Sequence, residues 1–149
     1  MRVLDGLGIA YTPHSYDPQQ TDGKLVADLV GKSRDETFKT LVTVGASGKH
    51  YVFCVPVAGS LSLGKAARAV REKSVVMIQQ KELLPLTGYV HGGCSPIGMK
   101  KKFDTVIDET AMLFDTICVS AGKLGFQVEL APDALLRAVD AVYCDIAED

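Results

Sequence analysis

The 149-residue chain has the length of one domain, and its composition is that of an ordinary globular protein, with 47% apolar and 23% charged residues. Its formal net charge of -2 at pH 7 excludes a positive field over the whole molecule that would attract DNA or other polyanions. Any contact with nucleic acid therefore needs a local basic surface. We expect a single domain over residues 1-149 and no DNA partner.

The sequence also bears on the compartment. Its apolar runs are far shorter than the roughly 18–20 residues that span a bilayer, and its first residues lack the apolar stretch of a signal peptide. Four well-separated cysteines are typical of free thiols in a reducing compartment. His91 and Cys94 have the spacing of half a metal site, but no second pair accompanies them. We therefore expect a cytoplasmic protein with no membrane partner and no metal.

In the first third of the chain, short apolar patterns alternate with turn residues. A helix is predicted at 2–7, and a strand over 9–16 is predicted to be interrupted near Pro13, with Tyr16 at its end. Apolar residues at helical spacing predict a second helix near 25–30, capped by Thr21 or Asp22. The Ser33 to Glu36 spacing of a capping box predicts a further short helix leading to Lys39.

The middle and the end of the chain are richer in strand signals. β-Branched and aromatic residues at 40–44 and 50–57 flank a glycine-containing turn and predict a hairpin. A helix near 63–70 has a mostly basic outer face, and a helix begins at Pro132. Further strands or helical turns are predicted at 75–78, 80–84, 105–107, 116–120, 126–130 and 142–145. This irregular alternation favours an α+β fold with a mixed sheet flanked by helices.

The segment Gly92-Gly93-Cys94-Ser95-Pro96-Ile97-Gly98, the glycine loop, is the most unusual in composition. Three glycines and a proline fix a tight loop whose amides can approach a ligand closely. It lacks the signatures of a phosphate-binding P-loop and of a dinucleotide fold. A plain turn between strands remains the alternative.

Two groups of basic residues are candidates for contact with a nucleic-acid backbone. Lys100, Lys101 and Lys102 directly follow the glycine loop and could combine with Arg68 and Arg71, although a solvated surface is the simpler interpretation. Lys39 stands between Phe38 and an apolar strand, where its ammonium either reaches solvent or projects into a polar cavity.

No constellation of side chains for nucleophilic or acid–base catalysis stands out. Ser120 and Lys123 match a Ser-x-x-Lys spacing, but glycines around them favour a loop, whereas that chemistry needs a helix. This absence suggests that any reaction depends on positioning and on backbone electrostatics.

Several segments, in this order along nearly the whole chain, resemble the YbaK/EbsC family of free-standing bacterial deacylases, which are related to the editing domain inserted in prolyl-tRNA synthetases. These segments are Tyr11-Thr12-Pro13-His14-Ser15-Tyr16-Asp17, Phe38-Lys39-Thr40-Leu41, Val55-Pro56-Val57-Ala58-Gly59, Thr87-Gly88-Tyr89 with the glycine loop, Thr105-Val106-Ile107-Asp108 and Val119-Ser120-Ala121-Gly122-Lys123. The resemblance implies a curved mixed sheet whose pocket receives the aminoacylated 3′ end of tRNA. It implies no cofactor.

The resemblance also implies site residues. Lys39 matches an essential lysine that holds the ester in place, and Gly92 and Gly93 match the loop whose amides face the scissile carbonyl. Tyr16 and Ser120 match pocket positions, and Ser95 and Pro96 of the same loop motif, together with Gln127, are also expected to bind the substrate. At Gln127 the family often has an aspartate, and the segment 21–24 is shortened; both differences bear on pocket shape and amino-acid preference.

The implied activity is the removal of cysteine mischarged on tRNA(Pro), with the thiol of the substrate attacking its own carbonyl. Aminoacylated tRNA(Pro) and prolyl-tRNA synthetase are the implied partners. Two alternatives remain at this point: a sister deacylase for alanine or another small amino acid, which would need an activated water, and a non-catalytic module that binds aminoacyl-tRNA or the synthetase.

Overall fold

Eight strands form two sheets in the computed structural model, which describes all 149 residues. The helices are α1 (Arg2–Leu7), α2 (Gly23–Leu29), α3 (Leu63–Ala69), α4 (Gln80–Thr87) and α5 (Pro132–Val139), with a 3-10 helix at Glu109–Leu113. The strands are β1 (Thr12–Ser15), β2 (Phe38–Gly45), β3 (His50–Pro56), β4 (Val75–Met77), β5 (Asp104–Asp108), β6 (Ile117–Ser120), β7 (Phe126–Leu130) and β8 (Val142–Cys144). The predicted α+β class and the predicted hairpin, β2–β3, are confirmed.

The larger sheet has the order β4-β2-β3-β5-β8 and is mixed, because β5 runs parallel to both β3 and β8. The smaller sheet, β1-β7-β6, is antiparallel. A single parallel bridge between Thr37 and Cys118 joins the two sheets where β2 begins. This junction lies beside the site described below.

Strand β3 is buried on both faces. Phe53 and Val55 pack with Ala66 and Ala67 of α3 on one face. Alternate residues of a strand point to opposite faces, and Cys54 accordingly joins a second cluster with members from β2, β5, β6, β7 and α5. Burial on both faces makes the hairpin a rigid support for side chains of β2.

Two local predictions differ from the structure. Pro13 does not interrupt the first strand: it pairs with Val128 within β1, which a proline tolerates because β1 is an edge strand. Ser33 and Glu36 make both hydrogen bonds of a capping box, at 2.9 and 3.2 Å, yet form only a turn. Thr37 immediately enters the bridge to Cys118, so the chain has no room for a helix before β2.

All four cysteines are free thiols. No helix has both the length and the apolar character required to cross a membrane.

Candidate active site

A cleft with a volume of about 240 Å³ lies where the start of β2, the glycine loop and the smaller sheet meet. Sites for drug-sized ligands have volumes of about 300–1,000 Å³, so this cleft suits a smaller group. Its lining is mixed in polarity and consists of Tyr16, Thr21, Gly23, Val26, Thr37, Phe38, Lys39, Thr40, Leu41, Val57, Leu83, His91, Gly92, Cys94, Ser120 and Gln127.

Lys39 brings a half-buried ammonium to this cleft. Its position on β2, opposite Val55, fixes the start of the side chain, and Nζ donates a hydrogen bond of 2.9 Å to the carbonyl oxygen of Gly59. Burial, with a further contribution from the charge of Lys24, lowers the pKa of Lys39. An ammonium has three N–H donors, so two remain available to a ligand.

Gly92 brings a backbone donor to the cleft. Its φ of 85° lies in the left-handed region, and a Cβ there would approach Leu124 Cδ2 to 3.0 Å and Thr21 to 3.2 Å. Its N–H makes no hydrogen bond within the protein. Gly92 therefore offers an unpaired amide at a place where the backbone conformation and the close neighbours both disfavour a side chain.

Gly93 has a different role from the one predicted. Its N–H donates to the carbonyl oxygen of Val90 at 3.0 Å, and the residue does not line the cleft. Because a Cβ at this position would lie 3.3 Å from the backbone nitrogen of Leu124, Gly93 permits close packing of two chain segments. Its amide is not available to a scissile carbonyl.

Ser95 and Pro96 also lie outside the cleft, contrary to their prediction as substrate-binding residues. Ser95 is completely buried, and its Oγ accepts a hydrogen bond from the backbone N–H of Ile97 at 3.1 Å. Pro96 faces a separate cavity that it shares with Lys101 and Lys102. Both residues shape the glycine loop from behind the residues that line the cleft.

Gln127 is the most informative residue of the lining. Gln127 is only 7% exposed, and its side-chain oxygen, Oε1, has no hydrogen-bond partner. An unsatisfied buried acceptor costs about 1–3 kcal/mol, so a donor on a ligand would remove a real penalty. Tyr16 and Ser120 line the same cleft, and Ser120 Oγ accepts from the N–H of Gly122 at 3.2 Å.

The lining contains no hydrogen-bonded pair of nucleophile and base. Burial raises the pKa of the Cys94 thiol to about 12, which keeps it protonated and a poor nucleophile. His91, which the sequence indicates only as half of a metal pair, lines the cleft but makes no hydrogen bond to Cys94 or Ser120. The lining thus shows no side chain that is activated as a nucleophile by a hydrogen-bonded base.

The segment 21–24, whose shortening relative to the resembled family bears on pocket shape, contributes directly to the cleft. Thr21 and Gly23 line the cleft, and Asp22, one of the two predicted caps, caps α2 by accepting from the N–H of Lys24 at 2.9 Å. Thr21 also lies against Gly92, a contact that the sequence does not predict.

The two predicted basic groups do not converge. Arg68 and Arg71 belong to or follow α3, which packs on the Phe53 face of β3, whereas Met99 and Phe103, on either side of Lys100, Lys101 and Lys102, pack with Val52 on the other face. The larger sheet separates the groups. Lys102 is also paired with Asp140 at 2.9 Å.

Side chains of His14, Cys118 and Glu129 approach one another on the smaller sheet, with possible ligand atoms within 4.8 Å. The Glu129 carboxylate is already bound by His14 at 2.8 Å, by Lys32 at 2.9 Å and by the hydroxyl of Thr116. Burial alone would raise its pKa, but these hydrogen bonds lower it from 4.5 to about 2. We assign the cluster to a hydrogen-bond network around Glu129, since an ammonium already balances the carboxylate charge.

Comparison with known proteins gives consistent matches. The model of the aminoacyl-tRNA editing domain family matches residues 17–138. A protein of Enterococcus faecalis (strain ATCC 700802 / V583), named "Putative Cys-tRNA(Pro)/Cys-tRNA(Cys) deacylase EbsC", is 39% identical over 148 residues, which are 98% of this chain and 90% of that protein.

Several solved structures are similar over nearly the whole chain. The "Crystal structure of a putative trans-editing enzyme for prolyl tRNA synthetase" has a TM-score of 0.85 and 26% identity, with 99% of this chain and 94% of the other covered. A hypothetical protein has a TM-score of 0.90 at 22% identity, with coverage of 99% and 97%, and supports the fold alone.

Proposed function

Because the chain belongs to the aminoacyl-tRNA editing domain family, as its resemblance to YbaK/EbsC proteins predicts, we propose that it is an aminoacyl-tRNA deacylase that removes cysteine from mischarged tRNA(Pro). The observation that carries this proposal is the cleft itself. It combines the Lys39 ammonium, the unpaired Gly92 amide and the orphaned Gln127 oxygen, with no paired nucleophile.

Each of these three groups suits one part of an aminoacyl ester at the 3′ end of tRNA. Lys39 binds the terminal nucleotide through the N–H groups that Gly59 leaves free. The Gly92 amide donates to the carbonyl oxygen as negative charge develops on it, which is the action of an oxyanion hole. Gln127 Oε1 accepts a hydrogen bond from the α-ammonium group of the amino acid, which satisfies the buried oxygen.

The attacking group in the proposed reaction is the thiol of the cysteinyl residue. Its sulfur bonds to the ester carbonyl carbon, the bond from that carbon to the ribose oxygen breaks, and the thiol proton passes to the ribose as a hydroxyl hydrogen. The amino acid leaves as a cyclic thioester, which water hydrolyses to cysteine. Held at the right geometry, an intramolecular group can supply on the order of 7–11 kcal/mol toward a barrier. The protein then needs only to orient the ester and to stabilise the oxyanion.

The proposed partners rest on the resemblance to YbaK/EbsC proteins, and the charge of the protein is consistent with them. With a net charge of -2, the protein has little general attraction for tRNA. We propose that prolyl-tRNA synthetase supplies the recognition of tRNA(Pro), and that both act in the cytoplasm. The name of the similar solved structure, which refers to that synthetase, supports this partner.

Single-turnover deacylation of Cys-, S-methyl-Cys-, Ser- and Ala-tRNA(Pro), with and without prolyl-tRNA synthetase, tests the proposal. We expect rapid release of cysteine and at least about a 200-fold loss for the other three, since differences in binding a small side chain account for only about 10–200-fold. The S-methyl derivative fills the pocket but lacks the thiol. Its rapid cleavage would contradict the thiol mechanism.

A second candidate is a sister deacylase for alanine, favoured by the presence of His91 in the cleft without a hydrogen-bond partner. An unpaired imidazole can activate water for a substrate that has no thiol. Rates for Ala-tRNA(Pro) equal to those for Cys-tRNA(Pro) would establish this candidate. Binding of all four substrates without cleavage would instead identify a non-catalytic module.

A further inference from the structure

We propose that Tyr89 is a positioning residue, which clamps the glycine loop to residues 120–125 and so holds the Gly92 amide at the scissile carbonyl. This inference rests on the proposed deacylase function for its catalytic consequence. Tyr89 does not line the cleft, so it acts through its neighbours.

The phenol closes the glycine loop. Tyr89 Oη donates to the carbonyl oxygen of Ile97, eight residues ahead in the chain. The backbone N–H of Tyr89 donates to Thr87 Oγ1 at 3.1 Å, and the N–H of Lys100 donates to the Thr87 carbonyl oxygen at 2.9 Å. Burial raises the pKa of Tyr89, so its hydroxyl keeps the proton that it donates.

The aromatic ring fills space that two glycines leave open. A Cβ on Gly122 would lie 2.6 Å from Tyr89 Cε1, and a Cβ on Gly98 would lie 3.1 Å from Tyr89 Oη. Both glycines have φ in the left-handed region, at 91° and 72°. The ring thus contacts the glycine loop on one side and the segment 120–125 on the other.

Contacts from the segment 120–125 lead to the cleft. The backbone N–H of Gly122 donates a hydrogen bond to Ser120 Oγ, and Ser120 lines the cleft. On the other side of this segment, Leu124 lies close to Gly92 and Gly93, so that a Cβ would approach it to 3.0 Å at Gly92 and to 3.3 Å at Gly93. Because the Gly92 amide has no hydrogen bond of its own, its position depends on these contacts. Tyr89 contacts both segments at once from outside them.

The test compares Tyr89→Phe with Tyr143→Phe, a matched control. Tyr143 donates to Asp133 at 2.7 Å and does not line the cleft, so its variant also loses one tyrosine hydrogen bond. For Tyr89→Phe we expect a roughly tenfold lower kcat on Cys-tRNA(Pro) with KM within about twofold, because misplacement of a donor affects the transition state most. Tyr143→Phe should keep the kcat of the wild-type protein.

Amide hydrogen exchange provides a readout that does not depend on activity. Exchange should become faster within residues 88–98 and 120–125 in Tyr89→Phe but not in Tyr143→Phe. Unchanged exchange in these segments, or a lower melting temperature with a wild-type kcat, would overturn the positioning role. A third outcome separates the two proposals. If the wild-type protein does not deacylate Cys-tRNA(Pro), but exchange in 88–98 and 120–125 is still faster in Tyr89→Phe, the deacylase function is overturned and the clamp stands.

A double variant separates coupled from independent effects. Gly122→Ala places its Cβ 2.6 Å from Tyr89 Cε1 and so displaces the phenol from the Ile97 carbonyl oxygen, whereas Tyr89→Phe removes the hydroxyl that reaches this oxygen. Because both variants then weaken the same hydrogen bond, the reductions in kcat are not additive in the double variant if Tyr89 acts as a clamp. Fully additive reductions would contradict the clamp.

Discussion

Lys39 carries its charge in a half-buried place, where the fold disfavours the charged form. Lys39→Met keeps the length of the side chain and removes the ammonium. If the ammonium holds the terminal nucleotide, we expect the rate of single-turnover deacylation of Cys-tRNA(Pro) to fall at least about 100-fold. Loss of a charge-assisted hydrogen bond costs about 3 kcal/mol, which corresponds to a rate effect of this size. The free energy of unfolding should stay within about 1 kcal/mol of the wild-type value, because the depressed pKa shows that burial does not stabilise the ammonium.

Lys49→Met is the control for this substitution. Lys49 lies in the same hairpin region but is exposed and paired with Asp104 at 2.8 Å, so its loss should leave the rate unchanged. A loss of stability in Lys39→Met that matches the loss of activity would mean that Lys39 supports the fold and has no direct role at the substrate.

The adjacent glycines of the glycine loop show what the sequence alone cannot predict about single residues. Gly92 and Gly93 are indistinguishable as letters, and the resemblance assigns both to the carbonyl. Only the hydrogen bonding of the folded loop separates them, because the Gly93 amide closes a turn with Val90 and that of Gly92 is unpaired. Gln127 stands out in the sequence as a difference from the resembled family, but its missing partner depends on strands that are distant along the chain.

The smaller sheet is held by the network around Glu129, which links β7 to His14 of β1 and to Lys32 beyond α2. Its carboxylate has a pKa lowered to about 2 in the folded protein. The stabilisation is therefore complete above about pH 5 and is lost as the pH falls from about 4.5 toward 2. Glu129→Gln should flatten the dependence of the free energy of unfolding on pH in this range, as measured by denaturant titration.

Asp28→Asn provides the comparison for that measurement. Asp28 is also paired, with Arg34 at 2.7 Å, but the pair is exposed and contributes little to stability. In Asp28→Asn, the free energy of unfolding should fall with decreasing pH nearly as steeply as in the wild-type protein. If the free energy of unfolding of Glu129→Gln fell just as steeply with decreasing pH, the network around Glu129 would not control stability at acid pH.

Local patterns predict most of the elements but not their assembly. The hairpin and the helices follow from apolar spacing, turn glycines and caps within about ten residues. The division of the strands into two sheets depends on pairs such as Thr37 with Cys118 and His14 with Gln127, which are remote in sequence. The Ser33–Glu36 turn shows the same limit: its local hydrogen bonds are those of a helix start, but the bridge at Thr37 takes the chain into a strand.

At the scale of the whole molecule, the larger sheet divides the basic residues between two sides. The segment containing Lys100, Lys101 and Lys102 packs through Met99 and Phe103 beside Leu83, which lines the cleft, whereas Arg68 belongs to the other side. Changing the three lysines to glutamine should reduce the slope of log kcat/KM against log salt by up to about 2, at roughly 0.7 for each single-stranded phosphate that is no longer neutralised.

The doubly substituted Arg68→Gln, Arg71→Gln protein is the control for the salt series. Its slope should equal that of the wild-type protein, because the sheet lies between these residues and the cleft. If the arginine variant had the shallower slope and the lysine variant the wild-type slope, the tRNA would approach from the side of α3.

The unpaired amide of Gly92 has a consequence for how this activity can be inherited. A backbone N–H belongs to the polymer and not to a side chain, so among the possible replacements only proline deletes the chemical group itself. What mutation can destroy is the left-handed turn and the empty space beside Leu124 and Thr21. Selection at this position therefore acts on a shape, and a lineage can lose the donor through a bulkier neighbour while the glycine remains in place.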